Sequence, residues 1–277
     1  MGDDYFKSIG ESIKYANHIT DINFSKNRLT NKGLDPVLRS IKNNIGMFNQ
    51  LESLNLSFNK LNGDAIKNLC RFLTDKSCDL KKLNLEGNNL GDQVVSELCD
   101  NIFSNIHLYH KIQFLNLGQN NISDYGASKI VSVLEVCDNL RVLILYWNKI
   151  SNLGAALIVR EMKNCRQLRI FDISWNNIGS CLIRKPTMDD IIKHGAKSKF
   201  PKRYMNVWTE EFKNLKQMNF KKPVTIGKTE VSEFAKELSE YFSQKDIYLV
   251  HLDISHNNID IIDSELISID KLLNINY

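Results

Sequence analysis

One pattern recurs along the chain and constrains it more than any other feature: L-x-x-L-x-L-x-x-N-x-L. It reads LESLNLSFNKL from Leu51, LKKLNLEGNNL from Leu80, IQFLNLGQNNI from Ile112, LRVLILYWNKI from Leu140, LRIFDISWNNI from Leu168 and LVHLDISHNNI from Leu249. An earlier copy, ITDINFSKNRL, begins at Ile19. The pattern Asn falls at Asn27, Asn59, Asn88, Asn120, Asn148, Asn176 and Asn257, at spacings of 32, 29, 32, 28, 28 and 81. A near-regular period of this size marks a chain of supersecondary units. None of them can bury its apolar face alone, so each must stack on its neighbours.

Each unit reads as a short strand followed by a helix. Alternation along the strand sends the apolar fourth and sixth positions inward with the first, and the Asn turns the chain out of the strand, where its amide can satisfy otherwise unpaired backbone. Helix patterns with apolar residues three and four apart follow at DAIKNLCRFL from Asp64, DQVVSELCDNIF from Asp92, GASKIVSVLEV from Gly126 and GAALIVREM from Gly154. With LGD, ISD and LGA after the Asn, the pattern resembles the leucine-rich repeat family, and its ribonuclease-inhibitor-like class in particular. The resemblance covers most of residues 12 to 178 and 249 to 260. It implies an α/β solenoid of about eight repeats, curved, with a parallel β-sheet on the concave face and helices on the convex face.

The interval of 81 residues needs its own account. LKQMNF from Leu215 keeps the first, fourth and sixth apolar positions but has Pro223 where the Asn belongs, and TEVSEFAKELSEYF from Thr229 reads as a helix. This is the expected seventh, degenerate repeat. The organisation is then residues 1–178 as an N-terminal cap with repeats one to six, 179–214 as a basic insertion, and 215–277 as repeats seven and eight with a C-terminal cap. DDYFKSIGESIKYA reads as the helix of a preceding half repeat, and SELISIDKLL as a closing segment.

Composition narrows the function classes. Of 277 residues, 43% are hydrophobic and 25% charged, with 36 Lys and Arg against 32 Asp and Glu. No uninterrupted run of about 18 apolar residues exists to span a bilayer. The N-terminal MGDDYFKSIG lacks the apolar stretch of a secretory signal, so six thinly spread cysteines in a reducing, cytoplasmic setting are the expectation. Cys78, Cys137 and Cys165 recur two or three residues before the first apolar position of a repeat, a core placement. Gly227, Lys228 and Thr229 could end a phosphate loop, but Lys222 stands where its first Gly is required. His107 and His110 have no Cys or acid at ligand spacing. Neither a catalytic constellation nor a cofactor or metal is expected.

Two candidate binding features remain. The third, fifth and seventh pattern positions face away from the core, and they are polar at the ends of the chain but apolar in its middle. Phe114, Val142, Ile144, Tyr146 and Ile170 form the expected patch, with Trp147 and Trp175 at its edge as aromatic anchors for a protein partner. The second feature is the run Lys193, Lys197, Lys199, Lys202 and Arg203. Residues 179–214 hold eight basic and four acidic side chains, an excess of four, while the other 241 residues hold 28 of each. The net charge of +4 therefore belongs to this segment, which points to an acidic surface such as tubulin. No RNA or DNA motif accompanies it, so nucleic acid is not the expected partner, and nor is a membrane.

A non-enzymatic interaction scaffold follows, with the Ran GTPase-activating proteins, which share this repeat class, as the alternative regulator. Inhibition of ribonucleases has the wrong sign of charge, because that namesake family is acidic. Heavy use of Lys, Asn and Ile suggests an AT-rich protist genome, and proteins that look like this are frequent among axonemal subunits. A cytoskeletal or ciliary assembly is the expected setting.

Overall fold

Each copy of the pattern forms a three-residue strand on its third to fifth positions: β1 (Asp21–Asn23), β2 (Ser53–Asn55), β3 (Lys82–Asn84), β4 (Phe114–Asn116), β5 (Val142–Ile144), β6 (Ile170–Asp172) and β7 (His251–Asp253). A computed structural model describes residues 2–179, 232–244, 247–257 and 259. The seven strands make one parallel sheet in chain order. They pair in strict register, so that Leu54 lies beside Ile22 and Leu83, and every pattern position faces its own copy one strand away.

The middle residue of every strand is buried. Leu51, Leu80, Ile112, Leu140 and Leu168 at the first position and Leu56, Leu85, Leu117, Leu145 and Ile173 at the sixth join them in one continuous core. Helices α1 (Asp3–Ile13), α2 (Asn31–Asn43), α3 (Ile45–Phe48), α4 (Gly63–Leu73), α5 (Gly91–Phe103), α6 (Ile106–Tyr109), α7 (Asp124–Val136), α8 (Asn152–Met162) and α9 (Glu233–Ser243) cover it. Five of the longer ones start at Thr30, Asn62, Ser123, Ser151 and Ser232, whose side chains accept from a backbone N–H of the first turn. The long helices pack in sequence, α1 on α2, α2 on α4, α4 on α5, α5 on α7, α7 on α8 and α8 on α9.

The uneven spacing has a structural cause. The two 32-residue intervals are those that carry an extra one-turn helix, α3 and α6, each capped by an Asn side chain, Asn44 and Asn105. The 28- and 29-residue intervals have none.

The pattern Asn residues form a continuous ladder. Asn59 Oδ1 accepts from the N–H groups of Asn27 and Leu29 in the preceding repeat, at 3.1 and 2.9 Å. Its Nδ2 donates to the carbonyls of Phe24 and Leu56, both at 2.9 Å. Asn88, Asn120, Asn148, Asn176 and Asn257 repeat this two-way linkage. Each amide thus stitches its own turn to the previous one, and at Asn59, Asn88 and Asn120 the linkage is buried.

A second linkage runs through the helix starts. Asp92 accepts from the Ser123 N–H and hydroxyl and from the Gly126 N–H, at the head of α7. Asp124 does the same for Ser151 and Gly154 at the head of α8. Asp3 in α1 binds both the N–H and the hydroxyl of Thr30, at 2.9 and 2.6 Å. So α1 engages the next helix as a repeat helix does, and Phe6 packs edge-on against Phe24 at 5.0 Å.

In the long interval, β6 is hydrogen-bonded directly to β7, with Ile170 beside His251; the segment from Leu215, read from the sequence as a degenerate seventh repeat, lies outside the described residues. The helix read from Thr229 is α9, stacked on α8. The chain divides into two units, Met1–Ser180 with Val231–Tyr277, and Cys181–Glu230. Removing the fifty residues of the second from the 81-residue interval leaves 31, an ordinary repeat length. Seven strands with the half unit α1 accord with about eight repeats. Residues 181–230 and 260–277, with the expected C-terminal cap, lie outside the described residues.

Candidate interaction surface

The strand face opposite the helices is built from the third, fifth and seventh pattern positions. In β4, β5 and β6, Phe114, Val142 and Ile170 are lateral neighbours in the sheet, and Ile144 lies between Asn116 and Asp172 in the adjoining row. All four apolar residues are half-exposed. The corresponding residues of β1 to β3 are Asp21, Ser53 and Lys82, then Asn23, Asn55 and Asn84. The apolar character is therefore confined to the middle of the sheet, as a row of three side chains with Ile144 beside it.

The fifth position explains why Ile144 is unusual. Asn23, Asn55, Asn84, Asn116, Asp172 and Asp253 each accept, through Oδ1, the N–H two residues on, at 2.9 to 3.0 Å. This local bond fixes the end of each strand. Ile144 has no acceptor, and its place in the row is occupied by a branched apolar side chain with no part in the turn.

Tyr146 is not a free apolar anchor. Its hydroxyl donates to the Glu86 carboxylate and accepts from Gln119 Nε2 at 3.2 Å. Asn116 Nδ2 donates to the other Glu86 oxygen at 3.0 Å. The ring passes over Gly118, where an added Cβ would stand 2.5 Å from Cε1. Burial and the Glu86 carboxylate push the phenol up from its usual range.

At the eighth position of every repeat the backbone is left-handed: Lys26, Phe58, Gly87, Gln119, Trp147, Trp175 and His256 have φ between 54° and 67°. A non-glycine residue there costs roughly 1 kcal/mol, and the following pattern Asn holds the turn against that cost. Because the register is strict, neighbouring eighth-position side chains stack. Lys26 Nζ lies 5.4 Å from the Phe58 ring centre. Trp147 and Trp175 are 5.0 Å apart at 16°, and Trp175 and His256 are 3.9 Å apart at 23°. The two expected aromatic anchors are thus rungs of one stack along the edge of the apolar row.

Other candidates resolve plainly. Cys70, Cys78, Cys99, Cys137 and Cys165 are buried free thiols. Burial pushes Cys70 and Cys165 up to about 12 and Cys78 to about 11, so they stay protonated and unreactive. His110 Nδ1 faces Asp138 Oδ1 at 3.2 Å on the surface. Among the described residues no group of three or more His, Cys, Asp or Glu could hold a metal ion, and no helix is long and apolar enough to cross a membrane. Lys193, Lys197, Lys199, Lys202 and Arg203 lie outside the described residues.

Two family models match the repeats. A leucine rich repeat model matches residues 15–38, 49–70, 76–99, 110–131 and 164–180, and a second leucine rich repeat model matches 248–269. Among solved structures, a tropomodulin C-terminal domain from Caenorhabditis elegans is 14% identical with a TM-score of 0.44, over 75% of this chain and 90% of that one. An internalin from Listeria monocytogenes is 16% identical with a TM-score of 0.27, over 99% of this chain and 94% of that one. With seven in-register strands, an unbroken Asn ladder and six matched segments, the chain is a leucine-rich repeat protein.

Proposed function

We propose that this protein is a non-enzymatic interaction module that docks another protein on the strand face of β4 to β6. The observation that carries the reading is the half-exposed row Phe114, Val142 and Ile170 with Ile144 beside it, on a sheet whose first three strands are polar at the same positions. Apolar side chains grouped on adjacent strands form a contact patch, where isolated ones would not. Trp147 and Trp175 form its rim, and Tyr146, tied to Glu86, stiffens the floor. The basic residues Lys193, Lys197, Lys199, Lys202 and Arg203 add a contact for an acidic surface such as tubulin. We take the setting to be a cytoskeletal assembly such as an axoneme, a reading supported by the composition and the repeat resemblance.

Affinity isolation of the full chain beside its Ile144→Glu and Ser53→Glu variants tests this. Ile144→Glu should lose the co-purifying protein while keeping its circular dichroism spectrum, and Ser53→Glu, on the polar end, should retain it. Equal recovery by all three would remove the docking face. Stimulated GTP hydrolysis by a co-purifying GTPase would overturn the non-enzymatic reading.

A further inference from the structure

Three carboxylates stand on the strand face between β3 and β7, and they differ in how they are satisfied. Glu86 receives the Tyr146 hydroxyl on one oxygen and the Asn116 amide on the other. Asp172 and Asp253 are lateral neighbours in β6 and β7. Asp172 Oδ1 takes the Ser174 N–H at 3.0 Å and the Ser174 hydroxyl at 2.7 Å, and Asp253 Oδ1 takes the Ser255 N–H at 2.9 Å. Their Oδ2 atoms have no partner among the described residues. In a parallel sheet such neighbours are roughly 5 Å apart, so two negative charges lie side by side at the end of the apolar row. Burial, and after it the Asp253 charge, raises the Asp172 carboxyl above the ordinary range.

No Lys or Arg occupies the third, fifth or seventh position of the repeats of β4, β5, β6 or β7; the one basic side chain there is His251, which acts on Asp172 more weakly than Asp253 does. A partner lying over Ile170 and Ile144 would strip water from this pair, and an all-apolar partner would leave both charges uncompensated. Only two carboxylates converge, too few oxygens for a calcium or magnesium ion. A planar guanidinium fits better, because its weakly hydrated fork can address two carboxylates while its stem lies on apolar surface.

We infer that the partner of this face is a protein segment that sets an arginine among apolar residues, the apolar side chains on Val142, Ile144 and Ile170 and the guanidinium between Asp172 and Asp253. This rests on the docking face proposed above. Asn in place of either Asp is compatible with the fold, since Asn23, Asn55, Asn84 and Asn116 make the same turn bond.

The test is selection of a random peptide display library on the full chain, with each enriched peptide measured against the Asp172→Asn/Asp253→Asn and Ile144→Glu variants. Enriched peptides should carry arginine next to apolar residues, lose about tenfold in affinity on the double Asn variant, and lose as much when that arginine is made citrulline. Peptides that depend on Ile144 but show no arginine, or bind the double Asn variant equally well, overturn the inference and leave the docking face standing. If no enriched peptide responds to Ile144→Glu, the docking face fails and the inference with it.

Discussion

Tyr146 on the strand turn of one repeat donates its hydroxyl to Glu86, sixty residues earlier and two strands away in the sheet. Repeat proteins are held mainly by nearest-neighbour interfaces, and this bond skips a repeat. It can do so because Gly118 stands at the seventh position of the intervening unit and leaves room for the ring. Tyr146→Phe should cost roughly 1.5 kcal/mol, the scale of a hydrogen bond to a charged group. Gly118→Ala should cost a similar amount by displacing the ring, and close to nothing in a Tyr146→Ala background. Denaturant unfolding of the two singles and the double measures the coupling. Additive losses would show that the ring and Gly118 act independently.

The Asn ladder predicts a gradient along the chain. Asn120 is fully buried. Its Oδ1 serves the N–H groups of Asn88 and Leu90, and its Nδ2 serves the carbonyls of Leu85 and Gly118. Asn120→Ala leaves those groups buried without partners, at about 3 kcal/mol or more. Among the described residues the Asn27 side chain bonds only the carbonyls of Phe24 and Ser25, within its own turn, so Asn27→Ala should cost about 1 kcal/mol. Thermal unfolding of both variants ranks them. Equal losses would mean that the linkage between repeats carries little energy.

What was legible in the sequence was what repeats. Strand positions, core positions and the turn role of each Asn all follow from one residue pattern read seven times, because strict register turns sequence position into spatial position. The feature that escaped is one that breaks the pattern. The Glu86–Tyr146 bond joins units that are not neighbours, and its one sequence trace is Gly118, the only glycine at the seventh position. The segment from Leu215, which carries the right apolar spacing but no Asn, lies outside the described residues, and Asn257 accepts the N–H of Asn176. The apolar patch is visible as Phe114, Val142, Ile144 and Ile170, whereas the engagement of Tyr146 depends on a contact made across the intervening Gly118.

The carboxylates that head α2, α7 and α8 offer a separate handle on cooperativity. Asp124 lies in α7 but caps α8 through Ser151 and Gly154, and a Cβ on Gly154 would collide with its Oδ1. Asp124→Ala removes a charged acceptor from the positive end of a helix and should destabilise by about 1.5 kcal/mol. Gly154→Ala should cost at least as much, despite the better helix propensity of Ala. A neutral or stabilising Gly154→Ala in thermal unfolding would refute the role given to this contact.

The Asp172–Asp253 pair sets the sign of a pH effect. In the folded chain Asp172 holds its proton above the ordinary carboxylate value of 3.8, through burial first and then the Asp253 charge, with His251 and the Ser174 bonds opposing the shift. The unfolded chain releases that proton earlier, so raising the pH from 3.8 through the raised native value favours unfolding. The penalty is absent below 3.8 and complete above the native value. Asp172→Asn keeps the bond to Ser174 that Asn116 makes to Gly118, and removes the charge. It should therefore be more stable than the natural chain at pH 7 by roughly 0.5 kcal/mol, the scale of like charges facing across a strand pair. The advantage should shrink to nothing well below 3.8, where Asp172 is protonated in the folded and the unfolded chain alike. Denaturant midpoints of the two chains across this range give the comparison, and a variant less stable at pH 7 would mean that a cation within the chain already compensates the pair.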